Sequence, residues 1–95
     1  SSALMATLFE LVATNARWLE SKGVAAEVAS QYSTALFHSL ATQSRELKAE
    51  ELRTLSTDCL TVGGLNEQVL NATRNEGWYE ELEAELDKIL ERISG

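Results

Sequence analysis

The chain has 95 residues, of which 44% are hydrophobic and 24% are charged. This is ordinary globular composition at the length of one domain, which argues against intrinsic disorder. The formal net charge is −7, and residues 45–95 hold six basic and twelve acidic side chains. We therefore expect no nucleic-acid partner and no anionic membrane partner, because phosphate groups would be repelled.

Targeting and metal-binding signals are absent from the sequence. No apolar run approaches the roughly 20 residues that span a bilayer, and no basic start followed by an apolar stretch indicates a signal peptide. The single cysteine, Cys59, cannot form an internal disulfide and indicates a reducing, cytoplasmic setting. Cys59 and the single histidine, His38, lack further ligands at suitable spacing, so we expect no metal site.

Helical periodicity predicts an all-α fold with about five helices, because there is no proline and no strand-like alternation. The predicted helices cover about 3–22, 25–44, 49–59, 65–75 and 78–93. Gly23 lies at the end of the first helix, where a residue with left-handed backbone conformation is common. Val24 is expected to fold back as the hydrophobic partner of this cap. His38 lies within the second helix and is expected to be an ordinary helix residue rather than a general base.

The first two helices are apolar around most of their circumference. In the first helix, Phe9 and Trp18 extend the apolar surface well beyond one stripe. Such a helix must be covered on nearly all sides, and 95 residues provide few elements to cover it. We therefore expect a homodimer or higher homo-oligomer, with a tight monomeric bundle as the alternative.

The last two helices have narrower apolar faces. In the fourth helix, Leu65, Val69 and Leu70 are predicted to face inward. In the last helix the apolar residues follow spacings of 4, 3 and 4, namely Leu82, Leu86, Ile89 and Ile93. Acidic residues fill its first half, where the helix dipole favours anions.

The segment 61–66 precedes the fourth helix and reads Thr-Val-Gly-Gly-Leu-Asn. Glycines let backbone N–H groups approach a ligand closely, and a helix start adds unsatisfied N–H groups with partial positive charge. These features allow a site for a small carboxylate or phosphate, with hydrogen bonds from Thr61 and Asn66. A plain turn capped by Thr61 or Asn66 is the commoner use of such a sequence.

This segment resembles the Ser/Thr-Pro-Gly-Gly-x-Thr-type loop in the C-terminal domain of the pyrroline-5-carboxylate reductase family. The stretches 2–11 and 35–38, the break at Gly23 and the helix after Gly77 are also similar. The resemblance implies that 1–95 is a single helical dimerisation and substrate-loop domain, similar to the C-terminal domain of 6-phosphogluconate dehydrogenase. It also implies that two copies intertwine.

Members of that family reduce 1-pyrroline-5-carboxylate to L-proline with NADPH or NADH, in proline biosynthesis. The resemblance implies that an N-terminal Rossmann domain outside this chain binds the nucleotide. This chain contains no Gly-x-Gly-x-x-Gly fingerprint. Alone, it is expected to be inactive, to bind no cofactor and to hold no catalytic residue.

The resemblance also assigns substrate contacts. It implies that the carboxylate of a small cyclic imino acid is held by Thr61, Gly63, Gly64 and Leu65. Asn66 stands where the family has threonine near the imine nitrogen, and Val62 replaces the usual proline. An amide still donates and accepts hydrogen bonds, but these two departures leave the exact substrate open.

Two other functions remain open. The chain could be a free-standing helical module that binds another protein through its apolar faces, or an independent bundle that binds a small molecule. The start at Ser1 rather than Met fits a processed chain or a piece of a longer protein, and we expect the second. A Rossmann pattern upstream would favour the reductase, and a native start codon would favour the free-standing module.

Overall fold

The computed structural model describes residues 2–58 and 63–94. These residues form a short 3-10 turn, five α-helices and no strand, which confirms the predicted all-α fold. The elements are the turn Ser2–Leu4, α1 Met5–Ser21, α2 Ala26–Ser44, α3 Ala49–Asp58, α4 Leu65–Asn75 and α5 Trp78–Ser94. The predicted helix boundaries lie close to these, except that the predicted end of the third helix, Cys59, lies outside the described residues.

The chain divides into two compact units, Ser1–Leu47 with α1 and α2, and Lys48–Gly95 with α3, α4 and α5. The expectation that 1–95 acts as a single domain stays a prediction. None of the helices in the described ranges combines the length and the apolarity needed to span a membrane.

In the first unit, Gly23 ends α1 as predicted. Its φ is 99°, its N–H donates to the Glu20 carbonyl at 3.0 Å, and the Val24 N–H donates to the Leu19 carbonyl at 3.1 Å. These two hydrogen bonds form a Schellman motif. The motif reverses the chain, so that α2 packs against α1.

The contact between α1 and α2 is made by small side chains. Ala29 and Ser33 lie one turn apart on α2, and both are completely buried. The Asn15 amide nitrogen donates to the Ser33 hydroxyl at 2.9 Å, so the buried hydroxyl has a partner. Small residues allow the helices to approach closely, but they bury little apolar area.

In the second unit, a glutamate in the first turn of α3 and of α4 accepts a backbone N–H that precedes the helix, one residue before α3 and two residues before α4. The Glu51 carboxylate accepts the Lys48 N–H at 3.2 Å, and the Glu67 carboxylate accepts the Gly63 N–H at 3.0 Å. Each glutamate is the third residue of its helix, the position from which a capping glutamate reaches back to the preceding backbone.

The helices α4 and α5 meet at Gly77, which has a φ of 75° and donates its N–H to the Arg74 carbonyl at 3.0 Å. The Thr73 and Tyr79 hydroxyl oxygens lie 2.8 Å apart and hydrogen-bond the two helices. The prediction that Leu65 and Val69 face inward is wrong for this chain by itself, since they are 84% and 63% exposed. The contact with α5 lies instead on the side of Leu70 and Thr73.

Large hydrophobic side chains are exposed along most of the described chain. Ala29 is the one hydrophobic residue that is buried in the ranges 2–58 and 63–94, and no larger apolar side chain there is fully covered. The exposed set in the first unit is Met5, Leu8, Phe9, Leu11, Trp18, Val28, Tyr32, Leu36 and Leu40. The first two helices thus lack the covering that their sequence requires.

Candidate functional site

The two glycines of the predicted substrate loop have different conformations. Gly63 has a φ of 75°, and a Cβ built on it would meet no atom within 4 Å. Glycine is therefore favoured at this position by the left-handed backbone rather than by crowding. Gly64 has φ −84° and ψ 171°, an extended conformation that any residue adopts. Thr61 and Val62 lie outside the described residues.

Gly64 is the N-cap residue of α4, and its carbonyl accepts the Gln68 N–H at 3.1 Å. Leu65 and Asn66 are the first two residues of the helix, and both are exposed. The four described residues of the predicted site, Gly63 to Asn66, therefore surround the N-terminus of α4. Backbone N–H groups and the positive end of the helix dipole favour an anion at such a place.

An anion from the chain itself already lies there. The Glu67 carboxylate accepts the Gly63 N–H at 3.0 Å. A ligand carboxylate that binds this N–H must displace Glu67, because two carboxylates repel each other at such a distance. The sequence interpretation missed this residue, although a glutamate three positions after the N-cap glycine is a recognisable capping signal.

The second unit also contains an open cavity of about 640 Å³. Its lining comes from α3, α4 and α5 and consists of Ala49, Leu52, Arg53, Ser56, Leu70, Arg74, Tyr79, Glu80 and Glu83. Two arginines and two glutamates thus face one groove, and within the described part of the chain no ion pair joins them. The lining includes none of the described residues of the glycine loop, so the loop and the cavity are separate features.

An ion pair joins Lys88 and Glu85 on the surface of α5. The Lys88 ammonium donates to the Glu85 carboxylate at 2.9 Å, and this hydrogen bond, together with the charge of Glu85, raises the pKa of Lys88 above its ordinary value. His38 is exposed on α2. In the described ranges, no three His, Cys, Asp or Glu side chains are placed to hold a metal ion.

Comparison of the chain with protein-family models, with curated proteins and with solved structures found no match. Membership of the reductase family therefore stays a prediction that rests on the residues quoted for it.

Proposed function

We propose that this chain is the helical dimerisation domain of a cytoplasmic oxidoreductase similar to pyrroline-5-carboxylate reductase. The single observation that best supports the proposal is the exposed apolar surface of α1 and α2. Phe9 on α1 is 67% exposed and Tyr32 on α2 is 59% exposed, while the buried contact between these helices consists of Ala29 and Ser33. Surfaces of this extent usually mark interfaces.

A second copy of the chain is the partner that we propose for this surface. Each large apolar side chain that becomes fully covered contributes roughly 1.5–3 kcal/mol to the free energy of association. In a two-fold interface the same residue contributes once from each copy. Several such residues would exceed the entropic cost of association. The helices therefore have enough uncovered apolar surface for a stable homodimer or a higher homo-oligomer.

In the parent enzyme, the proposed role of the glycine loop is to hold the carboxylate of a small cyclic imino acid. Gly64 has no Cβ to block an approach to the start of α4, and the helix dipole favours an anion there. The ligand carboxylate would replace the Glu67 carboxylate as the acceptor of the Gly63 N–H. NADPH or NADH, held by a separate domain, would supply the hydride. This chain would position the substrate and hold the two subunits together.

Light scattering after size-exclusion chromatography tests the proposed assembly. We expect a dimer or a larger homo-oligomer at micromolar concentration. A well-folded monomer under these conditions would contradict the proposal, because the apolar faces of α1 and α2 would then remain in water.

The enzymatic part of the proposal is tested on the full-length protein with 1-pyrroline-5-carboxylate and NADPH or NADH. The substitution Gly64→Val leaves the backbone conformation allowed, since Gly64 is extended, but it adds a side chain where the carboxylate would approach. We expect a raised KM or a lowered kcat with unchanged helical content. Unchanged kinetics would remove the loop from the active site.

One observation favours a second candidate, a free-standing helical module that binds another protein. The Glu67 carboxylate already accepts the Gly63 N–H at 3.0 Å, so a contact within the chain occupies a backbone donor that a ligand carboxylate would need. Sequencing the gene upstream of Ser1 separates the candidates, since the reductase requires a nucleotide-binding βαβ unit there.

A further inference from the structure

The exposed apolar seam of α5 indicates how a second copy of the chain meets this helix. Along α5 the apolar residues repeat at spacings of 3, 4, 3 and 4, the pattern of a coiled-coil seam; they are Tyr79, Leu82, Leu86, Ile89 and Ile93. Leu82 is 36% exposed and Ile93 is 77% exposed, while Leu86 and Ile89 are half-buried. The seam is therefore open to a partner helix at Leu82 and Ile93 and partly open between them.

The charges on α5 are distributed unevenly between its halves. Residues 78–86 contain four glutamates and no basic residue, for a charge of −4. Residues 87–94 contain two acidic and two basic residues, for a charge of 0. In a parallel pair, the half with charge −4 lies beside the same half of the other copy. In an antiparallel pair, each half with charge −4 lies beside the neutral half of the other copy. Electrostatic repulsion thus disfavours the parallel arrangement.

The residues that flank the seam define the register. When Leu86 packs against Ile89 of a second, antiparallel copy, Leu82 packs against Ile93 and the seam closes symmetrically. In antiparallel pairs, the flanking row that precedes every second seam residue faces the same row of the other copy, and here this row precedes Leu86 and Ile93. Here these positions hold Glu85 and Arg92, so the Glu85 of each copy faces the Arg92 of the other.

We propose that α5 pairs with α5 of a second copy in antiparallel orientation, with Leu86 against Ile89 and Glu85 against Arg92 across a two-fold axis. This inference rests on the proposed self-association, and it adds the helix, its direction and its register. Two heptads are short for a coiled coil that forms alone, so the pairing adds to the proposed self-association rather than replacing it. The Lys88–Glu85 ion pair within one copy does not compete strongly, because both side chains are more than half exposed.

A charge exchange in the full chain tests the pairing. Glu85→Arg and Arg92→Glu each turn two attractive pairs into two repulsive ones, so we expect each to weaken dimer affinity about tenfold. The double variant restores both pairs, and we expect it to recover most of the affinity. Glu91→Arg is the matched control for Glu85→Arg, because it changes the charge equally on the opposite side of α5.

The direction is tested by a distance between spin labels at position 94, in a chain that carries Ser94→Cys and Cys59→Ser. In the proposed register the two labels are offset by 13 residues along the helix axis, which is about 20 Å. In a parallel pair they have no axial offset and are separated only across the pair, whose axes lie about 10 Å apart. The α5 pairing alone is overturned if the chain dimerises but the double variant does not recover its affinity. It is also overturned if the distance between the labels is that of a parallel pair. A monomeric chain overturns the proposed function as well.

Discussion

The Asn15 amide and the Ser33 hydroxyl meet across the contact of α1 and α2, with 2.9 Å between donor and acceptor. Ser33 is completely buried, and Asn15 is half-buried. The pair lies where most helical hairpins would bury two apolar residues. It therefore favours one register of the two helices, because a slip takes the Asn15 amide away from its acceptor in this contact.

Ser33→Ala removes this hydrogen bond without adding volume. We expect the free energy of unfolding to fall by about 1 kcal/mol, since the Asn15 amide loses its partner in a partly dry contact. Urea denaturation followed by circular dichroism measures the change. Ser30→Ala, at an exposed position of the same helix, is the matched control, and we expect no loss there because alanine has the higher helix propensity. An equal loss in both variants would contradict the stabilising role of the hydrogen bond.

The helices of this fold are predictable from the sequence because their signals are local. Gly23 and Gly77 adopt the left-handed conformation at the helix ends, and the absence of proline leaves the helices between them uninterrupted. Apolar periodicity does not reveal which side of a helix is covered. Leu65 and Val69 have the spacing of inward-facing residues but remain exposed, because the contact of α4 with α5 lies on the side of Leu70 and Thr73.

The candidate site was predictable in part. The glycines at 63 and 64 and the helix start after them follow from the sequence, and the structure places them together at the N-terminus of α4. The hydrogen bond between Glu67 and Gly63 was not foreseen. Its formation depends on the left-handed turn at Gly63, which directs that N–H toward the first turn of the helix.

Glu67→Gln tests whether the capping carboxylate competes with a ligand for the loop. In the full-length enzyme, we expect the KM for the imino acid to fall about two- to fivefold, because a neutral amide no longer opposes an incoming carboxylate near the helix dipole. Steady-state kinetics at constant ionic strength measure this. Glu76→Gln, at the other end of α4, provides the control, and an unchanged KM in both variants would indicate that Glu67 has a capping role only.

The two loop glycines are expected to respond differently to alanine. Gly63→Ala forces a Cβ into the left-handed region and should cost about 1–2 kcal/mol of stability, although no neighbouring atom crowds that position. Gly64→Ala is allowed by its extended backbone and should cost about 0.5 kcal/mol, because alanine is a poorer N-cap residue than glycine. Thermal denaturation of the two variants measures the difference, and equal losses would contradict the conformation assigned to Gly63.

Phe9→Ser tests the apolar surface of the first unit. Phe9 is 67% exposed on α1, so its removal leaves no cavity in the separate chain, and the helical content should not change. If a second copy covers this ring, each copy loses roughly 1.5–3 kcal/mol, and the two together weaken the dimer at least about a hundredfold. Analytical ultracentrifugation over a range of concentrations measures the dissociation constant. Glu10→Ser changes the adjacent polar residue as a control. If both variants keep the affinity of the original chain, the interface lies elsewhere on the molecule, because a buried phenyl ring cannot be removed from a dimer contact at no cost.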